Sequence, residues 1–225
     1  IREFDKPGDV VWELGTGTGV LAVAAAKAGA RHVYTIEVGS IGKVAEAIFA
    51  DNALSDRITL ISGLSTQVTV PERADVLISE IIGNEPLNER VLQSTRDAIL
   101  RFLKPQARFV PRTLRIHAVP VEVPESVMSK LMFRESSQAN WSEWYEINFD
   151  SLSRGNAPEP FNIFARPHRL KDWARMSEPV LLSEIDFSIG HPPTVLSESY
   201  IVATRNATLN GIVLYFELGL CPAVG

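Results

Sequence analysis

The stretch "DVVWELGTGTGVLAVAAAKAGA", residues 9–30, decides the fold. It opens with a short apolar run that breaks at Gly15, and "VLAVAAAKAGA" follows as an alanine-rich helix stopped by Gly29. The order is strand, glycine turn, helix. A second strand, "HVYTIE", ends at Glu37, and Ser40 stands where it could cap the next helix, whose apolar stripe runs through Ile41, Val44, Ala45, Ile48 and Phe49. "RITLIS" and "ADVLISE" read as third and fourth strands. Strands that are apolar on both faces and alternate with helices imply a parallel sheet covered on both sides.

Further on, Leu87, Val91, Leu92, Thr95, Ala98, Ile99, Phe102 and Leu103 recur at helical spacing, which predicts a helix over 88–103 ended at Pro105. The pattern then changes to short alternating strands in "RFVPRTLRIHAVPVEVP", "LLSEIDFSI", "ESYIVATRNATLNG" and "IVLYFELGL", with "LNG" as a hairpin turn. Between these groups lies a segment rich in Trp, Phe, Pro and Ser that includes "WSEWYEINFDSL". The expected fold class is therefore α/β, a Rossmann-like parallel sheet followed by a mainly antiparallel β domain.

Composition narrows the function classes. At 225 residues, 45% hydrophobic and 22% charged, the chain is ordinary globular material for one large domain or two modest ones. A net charge of −5 argues against a general phosphate-backbone binder, which needs a basic face, so no direct nucleic-acid binding is expected. An acidic cleft for a cationic ligand fits the same balance. Cys221 is the only cysteine and is expected to be a buried or inert thiol in the reducing cytoplasm. No apolar run reaches the roughly 18 residues that span a bilayer, so a cytoplasmic protein without membrane contact is expected. No metal site is read from the sequence.

Two features carry chemistry. In the turn Glu13, Gly15, Gly17, Gly19, the missing side chains let a ligand approach the backbone at the helix N-terminus. A dinucleotide fold would carry G-x-G-x-x-G, whereas Val20 follows Gly19 here and the spacing is G-x-G-x-G. Glu37 ends the second strand, where a carboxylate can accept both hydroxyls of a ribose. A glycine turn alone usually serves only the bend, and a strand-end glutamate is usually just solvated. In this order the two together favour nucleoside binding. The second feature is "SEIIGNEPLNE", which gathers Glu80, Glu85 and Glu89 in one bend after an apolar strand.

The glycine spacing, with an acid two residues before the first glycine, resembles the first motif of the Rossmann-like S-adenosyl-L-methionine (AdoMet) methyltransferases. Taken with "VYTIE" and "SEIIGNEPLNE", it resembles the protein arginine methyltransferase family. That family's double-glutamate loop begins with Ser-Glu after the fourth strand and sets its second glutamate nine residues later, the separation of Glu80 and Glu89. The resemblance implies S-adenosyl-L-methionine as cofactor, bound by Glu13, Gly15, Gly17, Glu37 and Thr66, the last being the residue three after Gly63, where the family carries an acid. It implies catalytic roles for Glu80 and Glu89 toward an arginine of a protein or peptide substrate, with Glu85 a bystander or helix cap. It also implies a donor domain over 1–110 and a β-barrel over 111–225, interrupted at about 124–165 by an arm that makes a homodimer. The family's N-terminal helices and its Thr-His-Trp loop would precede Ile1 and follow Gly225, so a fragment or shortened relative is expected; His32, His117, His168 and His191 are read as surface or strand residues.

The chemistry requires a pair of acids independently of the family. Guanidinium is planar, cationic and keeps its proton to a pKa of about 12 or more, so it must be gripped rather than deprotonated first. Two carboxylates can hold the fork, draw positive charge toward the nitrogens they touch, and leave one terminal nitrogen free for transfer. Two other readings stay open: a methyltransferase acting on a small molecule or another nucleophile, and a non-catalytic scaffold of the same fold.

Overall fold

The computed structural model describes residues 7–69, 71–132, 135–152 and 160–220; Cys221 lies outside the described residues. Five strands form a parallel sheet: β1 (Val10–Leu14), β2 (His32–Glu37), β3 (Ile58–Ser62), β4 (Ala74–Ser79) and β5 (Leu103–Val110), in the order β3-β2-β1-β4-β5. The helices that accompany it are α1 (Val20–Ala28), α2 (Gly42–Asp51) and α3 (Val91–Arg101).

β1 explains why the sheet is covered on both sides. Its five residues are all buried, and they alternate: Val10, Trp12 and Leu14 enter one apolar cluster with Phe102 of the α3 end, while Val11 enters another with α1 and α2. The small residues Ala22, Ala25 and Ala26 form the buried face of α1, and Gly29 caps it in the left-handed conformation at φ 114. On the opposite face Trp12 lies between Tyr34 and Phe102, with ring centroids 5.1 and 4.6 Å away. Its indole N–H donates to the carbonyl of Glu72 at 3.0 Å, so burying the ring leaves no polar atom unpaired.

Several sequence expectations are revised here. Ser40 does not cap α2: the cap position is Ile41, and the Ser40 carbonyl accepts from Lys43 N–H at 3.2 Å. α3 is shorter than 88–103 because Arg90 takes a left-handed φ of 58 just before it. Pro105 does not end a helix but lies in β5, a fifth parallel strand. The ladder shifts register there, between Ala74↔Leu103 and Val76↔Arg108, so a residue without N–H breaks no regular pairing. "ESYIVATRNATLNG" forms no strand. Asn210 instead brackets Val123, its side chain accepting from Val123 N–H at 2.6 Å and donating to Val123 C=O at 3.1 Å.

A second, four-stranded sheet is built on β6 (Thr113–Glu122), which pairs with β7 (Ala174–Arg175), β8 (Val180–Asp186) and β9 (Gly211–Gly219). The chain divides into two compact units. One holds the residues up to His117 with Leu181–Ser199 and those from Tyr215 onward; the other holds Ala118–Val180 and Tyr200–Leu214. In the second unit Val119, Val121 and Val123 make a small core with Val127, Met128, Trp173 and Val213. The aromatic segment contributes two helices that periodicity did not announce, α4 (Glu125–Leu131) and α5 (Glu135–Tyr145). Among the described residues no helix is long and apolar enough to cross a membrane.

Replacing Trp12 tests the stacked core. Trp12→Ala removes a fully buried ring between two aromatic neighbours, and is expected to cost about 3–5 kcal/mol of unfolding free energy. Urea denaturation followed by circular dichroism measures it.

Candidate functional site

The parallel register sets the site. Leu14 pairs with Ile36 on one side and with Ser79 on the other, so Gly15, Glu37 and Glu80 each leave the same sheet edge at the same level. In the order β3-β2-β1-β4-β5, connections run opposite ways on the two sides of β1, which opens a crevice above the strand ends there.

The glycine turn is held by β2. The N–H groups of Gly15 and Thr16 both donate to the Ile36 carbonyl at 3.1 Å, and Gly19 N–H donates to Thr16 C=O at 2.8 Å. Gly15 has φ 80, and a Cβ there would stand 2.6 Å from Ile81 Cγ2. Glycine is therefore required at this point twice, by conformation and by space. Gly17, at φ 53, faces open space, and its N–H donates to Glu37 Oε2 at 2.9 Å. Glu37 Oε1 accepts from Gly39 N–H at 2.7 Å. Each carboxylate oxygen thus takes one backbone N–H and keeps acceptor capacity for a further donor, such as a ribose hydroxyl.

Glu13 lies on the side of β1 that faces α1, and it is only 1% exposed. One carboxyl oxygen, Oε2, accepts from the Thr35 hydroxyl, which also bonds to Thr16 of the turn; the other, Oε1, has no hydrogen-bond partner. Burial pushes the Glu13 pKa up to about 7; the Thr35 hydroxyl and the Ala22 backbone N–H draw it down, and the Glu37 charge raises it further. Thr16 and Thr35 were not singled out by the sequence reading, since a threonine in a strand or turn carries no distinguishing pattern. A nucleoside donor fits this edge: an open backbone cradle at Gly17, a strand-end carboxylate with acceptor capacity, and an orphaned buried carboxyl oxygen beneath the turn.

The carboxylate bend begins on the neighbouring strand. Glu80, exposed, follows β4; Ile81 packs against Gly15, and Ile82 is buried at 2% exposure. Gly83 turns the chain at φ 62, and Glu89 Oε1 occupies the space that a Cβ at Gly83 would need, 2.5 Å from it. Glu89 itself is exposed, two residues before α3. Glu85 does not cap α3; it accepts from the Asn88 side chain inside the bend, and its carbonyl accepts from Asn88 N–H at 3.1 Å. Thr66 is exposed in the turn that follows β3. The sequence reading missed Ile81 and Gly83, for which the only local signal was a glycine inside an apolar-to-acidic switch.

Comparison with known proteins adds to this geometry. The family model described as ribosomal protein L11 methyltransferase (PrmA) matches residues 1–151. The chain is 44% identical over 117 residues to a probable histone-arginine methyltransferase CARM1 of Oryza sativa subsp. indica, a match covering 52% of this chain and 22% of that protein. It is 28% identical over 210 residues to protein arginine N-methyltransferase 1 of Chlamydomonas reinhardtii, covering 93% of this chain and 58% of the relative. Among solved structures, the Trypanosoma brucei PRMT1 enzyme-prozyme heterotetrameric complex with AdoHcy superposes at a TM-score of 0.62 with 23% identity, over 81% of this chain and 54% of that one. Arabidopsis thaliana protein arginine methyltransferase 10 does so at 0.61 with 24% identity, over 81% and 55%. These two structures share the fold, and the chain spans little more than half of each.

The buried carboxyl makes stability depend on pH. With a pKa of about 7 folded against 4.5 for the ordinary group, Glu13 binds more protons in the folded than in the unfolded chain between those values. Its contribution is present below the lower value and is lost as pH rises through the upper one. Glu13→Gln keeps the shape without the ionisation and is expected to flatten that fall, read as urea midpoints at about pH 5 and about pH 8. A variant with the parent's slope would place the pH dependence elsewhere.

Proposed function

The chain belongs to the PrmA methyltransferase family, and from that premise we propose that it transfers a methyl group from S-adenosylmethionine to a guanidinium nitrogen of arginine in a protein or peptide. The names of its relatives agree on methyl transfer and differ in the acceptor, a ribosomal protein in the family description and arginine in the sequence relatives. The observation that carries the arginine reading is the bend from Glu80 to Glu89. It rests on the glycine turn through the Ile81 contact at Gly15 and carries an exposed carboxylate at each end.

When bound, the cofactor supplies an electrophilic methyl group on a sulfonium centre. Gly15 and Gly17 expose backbone for its approach, Glu37 accepts the ribose hydroxyls, Thr66 borders the base, and Glu13 supports the turn from below through Thr35 and Thr16. Glu80 and Glu89 grip the guanidinium of the acceptor by charge-assisted hydrogen bonds, orienting one terminal nitrogen and drawing positive charge to the others. Two carboxylates drawn onto one guanidinium would repel each other without it, and the cationic acceptor relieves that repulsion. Gly83 lets Glu89 lie back over the bend instead of pointing away from it.

The same proposal assigns 1–110 to donor binding and 111–225 to a β-barrel substrate domain. The arm at about 124–165, with Trp144 69% and Phe164 72% exposed, would join two copies of the chain as a cytoplasmic homodimer. Labelled S-adenosylmethionine offered with arginine peptides and with a metabolite extract tests the function. Label on arginine supports it, whereas label on a small metabolite and never on arginine would sink it.

Glu89→Gln is expected to leave donor affinity nearly unchanged while methyl transfer drops by two or more orders of magnitude, roughly the cost of losing one oriented charged contact in a transition state. Gly83→Ala is expected to act the same way, because its Cβ displaces the Glu89 carboxylate. Calorimetry with S-adenosylhomocysteine beside a peptide assay separates the two effects; loss of donor binding in either variant would contradict the roles given.

A further inference from the structure

The turn after β3 borders the proposed donor site and carries no charged side chain. Its first residue is tied to the site, since Gly63 N–H donates to the Glu37 carbonyl at 2.9 Å. Within the turn Gln67 and Val68 N–H donate to Leu64 C=O at 2.8 and 3.2 Å. Two further carbonyls, those of Ser65 and Val68, are claimed by one distant residue. Arg101, the last residue of α3, donates through Nη2 to Ser65 C=O at 2.5 Å and through Nη1 to Val68 C=O at 2.9 Å. Asp97, one helical turn earlier, fixes the guanidinium from its other edge, accepting from Nε at 2.8 Å and from Nη2 at 2.5 Å. The guanidinium carbon also sits 4.6 Å above the Phe102 ring centroid.

This arrangement uses a property particular to arginine: a rigid planar fork can serve a carboxylate and two separate carbonyls at once, which a lysine ammonium on a flexible stem cannot reproduce. With the Leu64, Ser65 and Val68 carbonyls held, the turn has lost much of the freedom such a loop would have. The N–H groups of Ser65 and Thr66 donate to no acceptor among the described residues, so they stay available to a ligand.

We propose that Arg101, oriented by Asp97, is a positioning residue for the donor site: it pins the Leu64–Val68 turn so that the turn's backbone, rather than a side-chain charge, reads the edge of the adenine. The proposal rests on the donor reading given above. It assigns the contact with the base to backbone groups beside the uncharged Thr66.

The test measures affinity for S-adenosylhomocysteine and for S-inosylhomocysteine, whose base carries an oxo group where adenine has its amino group. In Arg101→Met, S-adenosylhomocysteine is expected to bind about tenfold more weakly, the effect of losing roughly one well-made hydrogen bond. S-inosylhomocysteine affinity should change little, and kcat at saturating donor should match the parent while KM for the donor rises. Arg101→Lys should fall between the two. If Arg101→Met fails to fold, Asp97→Asn keeps the arginine on Phe102 and should show the same selectivity loss in smaller measure, about threefold. Unchanged affinity, or an equal loss for both ligands, overturns the proposal. A parent protein that binds neither ligand overturns the donor reading and this proposal with it. A parent that binds through Glu37, judged by Glu37→Gln, with Arg101→Met indistinguishable from it, overturns this proposal alone.

Discussion

The close approach at Gly15 is the constraint on which the rest of the site depends. There the chain leaves β1, takes a positive φ, gives its N–H to Ile36 of β2 and accepts Ile81 of the β4 bend at a distance that no side chain would tolerate. One missing methyl group thus joins three parallel strands at their carboxyl ends. A side chain at Gly15 would meet Ile81, so the turn or the bend from Glu80 would have to move.

The carboxylates of this edge meet three different environments, and each suits a different task in the proposed reaction. Glu13 is enclosed, and burial raises its pKa to about 7, which suits a supporting role beneath the turn. Glu37 has both oxygens held by backbone N–H groups, which orients it without exhausting its acceptor capacity. Glu80 and Glu89 are exposed, and a carboxylate in water recovers its full value only when a cation displaces that water. The net negative charge of the chain adds a background field favouring a cationic acceptor.

α3 connects these environments mechanically. It begins just after Glu89 at one end, and its last residue, Arg101, holds the turn beyond β3 at the other. Between the two, Leu92 and Ala98 are buried in the cluster that contains Trp12 and Phe102, so the helix cannot shift without disturbing the core. The turn proposed for the donor and the bend proposed for the acceptor are thereby referred to one packed element.

The sequence by itself determined the parallel sheet, because "DVVWEL", "HVYTIE" and "ADVLIS" are apolar on both faces, and it determined the glycine turn and strand-end Glu37, because their order along the chain is local. It also marked Glu80 and Glu89 as unusual through their spacing. It misjudged Ser40 and Pro105, where backbone geometry or a register shift overrode local preference, and "LNG", where Asn210 found a partner 87 residues away in Val123. Only the tertiary structure decided that Ile81 sits on Gly15, that Glu89 folds back over Gly83, that Thr35 links Glu13 to Thr16, and that Arg101 grips Ser65 and Val68. The reason is physical: propensity and periodicity act over a few neighbouring residues, whereas close packing and charge-assisted hydrogen bonds depend on which distant segments the fold brings within a few ångströms.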